Sequence, residues 1–287
     1  MIKHQHKTED LPPFAPKLDE REVQQAEERT SIGALVVHEV IRLEGENELR
    51  RTTSALAWSG LAAGLSMGFS LVAEGLIRSA LPDQPWRPLV SKLGYTVGFL
   101  IVVLGRQQLF TENTLTPILP LLARRDLSTL RQVLRLWGIV LLMNLVGAYA
   151  FALVAGHSDA FSPHLRQTFS QIGHEAMQGS FGTIVLKGIF AGWLIALMVW
   201  LLGGTQDGQI GVIIIITYLV GLAGLSHIIA GSIETMYLVT TGAASWRHYL
   251  AGYMIPTLLG NVLGGVSLVA VLNHAQVVAG GGKRESG

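Results

Sequence analysis

The chain has 287 residues, no cysteine, 21 Lys and Arg against 20 Asp and Glu, and a formal net charge of +1. Half of it is hydrophobic (49%), only 14% is charged and the mean hydropathy is +0.43, a balance that excludes an ordinary soluble domain and points to lipid. Without cysteine there are no disulfides, thiolate nucleophiles or cysteine-based metal sites, and no basic stripe interleaved with aromatics suggests a nucleic-acid partner.

In chain order, residues 1–17 carry three prolines and read as disordered, and the first forty residues hold no apolar stretch of signal-peptide type, so insertion is expected to rest on later segments. Leu18 to Arg51 holds ALVVHEVIRL within a Glu/Arg-rich pattern and reads as an amphipathic helix on the membrane surface or leading into the first span. Six stretches are long and apolar enough to cross about 30 Å of hydrocarbon. They run from Thr53 to Ala80, Leu89 to Leu122, Leu130 to Ala155, Gly179 to Leu202, Gly208 to Val239 and Tyr249 to Asn273. The second is interrupted at GRQQLFTEN (Gly105 to Asn113) and the fifth at LSHIIAGSIE (Leu225 to Glu234), so both are expected to be broken helices. The polar connection from Gly156 to Met177 contains His157, His164 and His174 at spacings without a ligand pattern, and reads as a solvated loop. The domain plan is therefore a tail and amphipathic helix over 1–51, a six-span membrane domain over 52–274 and a C-terminal tail over 275–287, whose end GGGKRESG reads as disordered. Arg124, Arg125, Arg131, Arg135, Lys283 and Arg284 outweigh Arg78, Arg87, Lys92 and Arg247 on the other side, which favours both termini in the cytoplasm.

A repeat organises these spans. Asn144-x-x-Gly147 in the third span matches Asn261-x-x-Gly264 in the sixth, and the breaks fall 33 residues before Asn144, at Thr111, and 34 before Asn261, at His227. Three spans per half is an odd number, so the halves sit in the bilayer upside down to one another. Inverted repeats with a broken helix in each half bring unwound backbone together near the midplane. Irregular backbone survives at that depth only when buried in protein or facing a watery cavity.

Together, LFTENTL after a Gly-containing apolar helix, GLSHIIAGS in span five and the paired NLVGA and IPTLLGNVLGG segments resemble the formate/nitrite transporter family, in its divergent branch of inner-membrane transporters. The likeness runs from Thr53 to Asn273. It implies an all-α membrane protein with an aquaporin-like fold in a bacterial inner membrane, assembled as a homopentamer among lipids, with one pore per protomer and no cofactor. It also implies a constriction at Leu109, Phe110 and Thr111 and a central histidine at His227. The sequence departs from the family pattern where Ser226 replaces an acid, Gly231 and Gly192 replace asparagines, and Ala176 to Gln178 lack a vestibule lysine. The solute class is therefore the least constrained element.

Chemistry narrows the roles. A weak-acid anion cannot shed all its water in an apolar pore, so a donor must stand at the midpoint. Neutral imidazole donates one hydrogen bond; protonated imidazole donates two or passes on a proton. Thr111 could hold that imidazole or the solute, and half-helix N-termini at the breaks would add positive potential. Arg106, Glu112 and Glu234 cluster at the breaks and are expected, as a pair or triad in which Arg106 pairs with either acid, to brace the breaks or to touch the permeation path; Asn144 and Asn261 are likewise expected to be break-stabilising or pore-lining. Glu74 and Lys187 are expected near span ends. Gly105 and Gly231 are the expected hinges. A hydrolase built on adjacent Ser226 and His227 is excluded, because neighbours on a helix point about 100° apart. A channel for a neutral or cationic solute and a non-conducting scaffold remain as alternatives.

Overall fold

The computed structural model describes residues 33–205 and 207–271. The expected disordered segments at 1–17 and 280–287, the rest of the C-terminal tail from 275, and the amphipathic reading between residues 18 and 32 lie outside the described residues. Among the described residues all regular structure is helical. Five helices are long and apolar enough to cross a membrane: Thr53–Ala80, Arg87–Leu104, Leu127–His157, Phe181–Gly203 and Trp246–Ser267. The remaining pass is divided between the shorter helices Gln209–Leu222 and Ala230–Thr240.

In chain order, α1 (Ala34–Arg50) precedes α2 (Thr53–Ala80), the first span. The second span comprises α3 (Arg87–Ser91), α4 (Thr96–Leu104), a break with a 3-10 turn at Glu112–Thr114, and α5 (Ile118–Arg124). The third is α6 (Leu127–His157), the connection is α7 (Pro163–Ala176) and the fourth span is α8 (Phe181–Gly203). The fifth is α9 (Gln209–Leu222), a break and α10 (Ala230–Thr240); the sixth runs through α11 (Trp246–Tyr249), a π turn and α12 (Ile255–Leu263) into a second π segment, Gly264–Val271. Helix starts follow local chemistry. Thr52, Asp126, Ser162, Ser180 and Ser245 each accept a hydrogen bond from the amide three residues on, fixing where α2, α6, α7, α8 and α11 begin.

Val37, Ile41, Gly45 and Leu49 form a buried stripe at four-residue spacing on α1. On its other side Arg42 pairs with Glu39 at 2.6 Å and with Glu46. The stripe lies on α5 and on the end of α8: a Cβ at Gly45 would stand 2.1 Å from the Thr116 carbonyl oxygen, and one at Gly203 would meet Ile41 at 3.0 Å. Arg135 of α6 donates to the carbonyls of Leu49 (3.1 Å) and Arg51 (2.8 Å), satisfying the α1 C-terminus.

The connection between spans three and four corrects the loop expectation. Leu165, Thr168, Phe169, Ile172 and Gly173 recur at helical spacing and are buried, so α7 is an amphipathic helix seated on α2 and α10. Its polar face hid that stripe from a reading based on hydropathy alone. Arg78 at the end of α2 clamps it through a bidentate contact to Glu175 (2.5 and 2.7 Å).

The inverted repeat is visible in close helix approaches. A Cβ at Gly64 would fall 2.2 Å from the Asn144 carbonyl oxygen, and one at Gly192 would fall 2.3 Å from that of Asn261. Each half therefore packs its first and third spans through a glycine with no room for any side chain.

Candidate functional site at the two helix breaks

Each break is held by one asparagine. Asn144 donates from Nδ2 to the carbonyls of Gly60 (2.7 Å) and Gln108 (2.9 Å), and its Oδ1 accepts from the Phe110 amide (2.9 Å). Asn261 repeats the pattern, donating to Gly188 (2.9 Å) and Ser226 (2.8 Å) and accepting from Ile228 (2.9 Å). Both asparagines are fully buried. An amide side chain suits this task, because unwound backbone in lipid needs both a donor and an acceptor from elsewhere.

The matched bonds fix the repeat register: Gln108 corresponds to Ser226 and Phe110 to Ile228, 118 residues apart. His227 therefore corresponds to Leu109, two residues before the Thr111 that sequence counting aligned with it. The ends of α4 and α9 obey the same register. The Gln107 amide reaches back to the Val102 carbonyl and the Leu225 amide to Val220, both at 3.0 Å, and the residue before each sits in the left-handed region: Arg106 at φ 50° and Gly224 at φ 59°.

Thr111 Oγ1 and His227 Nε2, one from each half, lie 2.8 Å apart. The other ring nitrogen, Nδ1, accepts from the amides of Ile229 (3.3 Å) and Ala230 (3.2 Å), where α10 begins. Two donors on Nδ1 assign the ring proton to Nε2, so neutral imidazole donates to the Thr111 hydroxyl. The Thr111 proton is then directed away from the ring. The α10 N-terminus is thus spent on the imidazole, and in the first half the helix after the break begins only at Ile118, beyond a 3-10 turn and Pro117. The expectation of two half-helix N-termini aimed at the centre is corrected accordingly.

Around this pair the wall is apolar. Phe99 stands edge-on to the imidazole at 5.0 Å between centroids, whereas Phe110 packs edge-on to Trp137 at 5.9 Å. The Tyr253 hydroxyl donates to the His227 carbonyl (3.1 Å) and fills the space beside Gly231, where a Cβ would lie 1.6 Å from it. Gly231 is consequently a site of close approach. Phe99 and Tyr253 were missed by sequence reasoning, since an aromatic in an apolar run carries no signal of what it faces.

Two cavities approach from opposite ends. One, of about 340 Å³ beneath α1, is lined by Glu44, Glu48, Arg106, Gln107 and Glu112 among others. The second, of about 500 Å³, is lined by Arg78, Asp83, Arg87, Lys92 and Glu175 among others. Neither of these cavities is lined by His227 or Thr111, which are 1% and 0% exposed.

Among the described residues no ion pair joins Arg106 to Glu112 or Glu234. Arg106 is exposed and pairs with Glu44 of α1 at 3.5 Å. Glu112 faces the first cavity, and its Oε1 is buried without a hydrogen-bond partner among the described residues. Glu234 lies on α10, toward the opposite end. Inversion of the halves is the physical reason: the chain leaves the first break toward the α1 end and the second break away from it. Glu74 is fully buried near the end of α2 and pairs with Lys92 at 2.5 Å.

A sequence profile described as formate/nitrite transporter matches residues 36–275. The chain is 41% identical over 251 residues to the inner membrane protein YfdC of Escherichia coli K12, spanning 88% of this chain and 81% of the relative. It is 31% identical over 243 residues to the formate channel BtFdhC of Bacillus thuringiensis, spanning 81% and 91%. A solved pentameric formate channel with formate bound shares the fold at TM-score 0.67 and 19% identity, with 79% of this chain and 98% of that chain covered.

Proposed function

The chain belongs to the formate/nitrite transporter family, and from that premise we propose that it conducts small monovalent weak-acid anions of the formate and nitrite class. The protein works as a homopentamer in a bacterial inner membrane, each protomer with its own pore and both termini in the cytoplasm. The named formate channels among its relatives, one of them pentameric, support the solute class and the assembly.

The observation that carries the mechanism is the hydrogen-bond chain from the Ile229 and Ala230 amides through His227 to Thr111. It leaves the Thr111 hydroxyl as the group that donates to the solute, with His227 acting through it. A charge-assisted hydrogen bond to an anion is stronger than a neutral one. One such bond replaces part of a hydration shell but not all of it, so passage is restricted to small anions of weak acids, which can also be neutralised by a proton. Leu109, Phe99 and Phe110 supply the apolar constriction that opens to let the solute past; Asn144 and Asn261 keep the two breaks in register.

Uptake into proteoliposomes, measured for formate, nitrite, acetate, ammonium and water at two pH values, tests this. Formate and nitrite flux above protein-free vesicles, rising with acidity, is expected. Flux of ammonium or water alone would overturn the anion assignment, and no flux of any solute would favour a scaffold.

A further inference from the structure

The two breaks match residue by residue, and they part company at one hydrogen bond. In the first break the Leu109 carbonyl accepts twice from Asn113, from its main-chain amide at 3.3 Å and from Nδ2 at 3.1 Å. The same 118-residue register pairs Leu109 with His227 and Asn113 with Gly231. The Gly231 amide reaches the His227 carbonyl at 3.0 Å, but glycine has no side chain to make the second bond. Tyr253 makes it, from its hydroxyl at 3.1 Å. That hydroxyl lies 1.6 Å from where a Cβ on Gly231 would stand, so it occupies the place from which an asparagine side chain would grow.

The span behind each break carries the complement. Eight residues before Asn144 is Leu136, and eight before Asn261 is Tyr253. Both are buried. Leu136 lies within α6, whereas Tyr253 lies in the π turn Leu250–Met254, a rare conformation frequently found at functional sites. One half thus places the donor on the break and an apolar residue on the span. The other half places glycine on the break and the donor on the span.

The side chain attached to the supported carbonyl is what differs in consequence. Leu109 is part of an apolar wall, but His227 carries the ring that donates to Thr111. The peptide group between His227 and Ile228 is held at its oxygen by Tyr253 and at its nitrogen by Asn261 (2.9 Å). Because that group is planar, pinning both ends fixes its tilt and the position of the His227 Cα. The contact of 2.8 Å between Nε2 and Thr111 Oγ1 depends on that tilt, since a hydrogen bond weakens steeply as it bends or lengthens. We propose that Tyr253 is a positioning residue for transport, supplying from the sixth span the bond that Asn113 supplies within the first break, and so keeping His227 Nε2 on Thr111. The role rests on the reading in which the Thr111 hydroxyl donates to the solute. It also accounts for glycine at position 231, because the donor has moved to another helix. A phenol has a single proton, spent here on the His227 carbonyl, whereas an amide nitrogen has two. The position therefore offers the solute no donor of its own.

The test uses the intact protein in lipid with Tyr253→Phe, Tyr253→Leu, Gly231→Asn/Tyr253→Leu and Gly231→Leu/Tyr253→Leu. Formate flux into proteoliposomes is measured at equal folded protein. Nitrogen NMR of histidine-labelled protein, with the His227 signal assigned by its loss in His227→Gln, reads the proton on Nε2 and its hydrogen bond. Tyr253→Phe keeps the ring and removes one hydrogen bond, so flux is expected to fall about 2- to 10-fold and the Nε2 signal to shift. Tyr253→Leu is expected to fall at least as far. Gly231→Asn/Tyr253→Leu gives the second half the pair found in the first and is expected to return flux and signal toward wild type. Gly231→Leu/Tyr253→Leu fills a similar volume without a donor and is expected to restore neither. Wild-type flux and signal in Tyr253→Phe overturn the proposal, as does an asparagine double variant that does no better than the leucine one. Flux that falls while the His227 signal stays unmoved overturns it too, because Tyr253 then does not act through His227. A wild type that carries no formate, but whose His227 signal follows Tyr253 and Asn as expected, upholds the positioning role and refutes the anion reading instead.

Discussion

Replacing Asn261 with alanine removes the clamp on the second break without touching the imidazole. Three hydrogen bonds disappear, to the Gly188 and Ser226 carbonyls and from the Ile228 amide, in a region sealed from water. At the average of about 0.6 kcal/mol per interhelical bond measured in membranes, the loss is about 2 kcal/mol. If the freed loop groups stay buried and unpaired, it rises to about 6 kcal/mol. Because Asn144 makes the same three contacts in the other half, Asn144→Ala should cost the same within about 1 kcal/mol. Unfolding in mixed micelles, followed by loss of helical signal with added denaturing detergent, measures both. A loss below about 0.5 kcal/mol in either variant, or a large effect in one and none in the other, would refute the claim that paired asparagines hold the two breaks.

The remaining predictions concern backbone and packing. Gly192→Ala forces a methyl group toward the Asn261 carbonyl at 2.3 Å, so α8 and α12 must part, and the same unfolding assay should register a loss of about 1–3 kcal/mol. At the end of α4, Arg106 holds a left-handed conformation that its repeat partner Gly224 holds without cost. Arg106→Gly should therefore be more stable than Arg106→Ala by about 1 kcal/mol, and Gly224→Ala should lose a similar amount, there being open space for its methyl.

The breaks were legible in the sequence because glycine and polar residues interrupt apolar runs that are otherwise too long for one span. The asparagines were legible because they recur with the same glycine spacing. The register was not: 35 residues separate Leu109 from Asn144 but 34 separate His227 from Asn261, and counting cannot say which half carries the extra residue. Charges near the breaks misled for a related reason. Glu112 and Glu234 each follow a break, but inversion sends them to opposite ends, and the partner of Arg106 is Glu44 on a surface helix 62 residues earlier. The buried Glu74–Lys92 pair left only a faint trace, one acid inside the first span and one base near the start of the second. Tyr253 left none, since its task depends on the absence of a side chain at Gly231.

The central claim is that the Thr111 hydroxyl, released by a neutral His227, is the donor to the passing anion. Formate flux through proteoliposomes containing Thr111→Val and Thr111→Ser, each compared with wild type at equal protein, measures that directly. The valine variant keeps the shape and removes a hydrogen bond to a charged group, worth about 1.5–3 kcal/mol, so flux should fall about 10- to 150-fold while serine restores it. Valine flux equal to wild type would contradict the account.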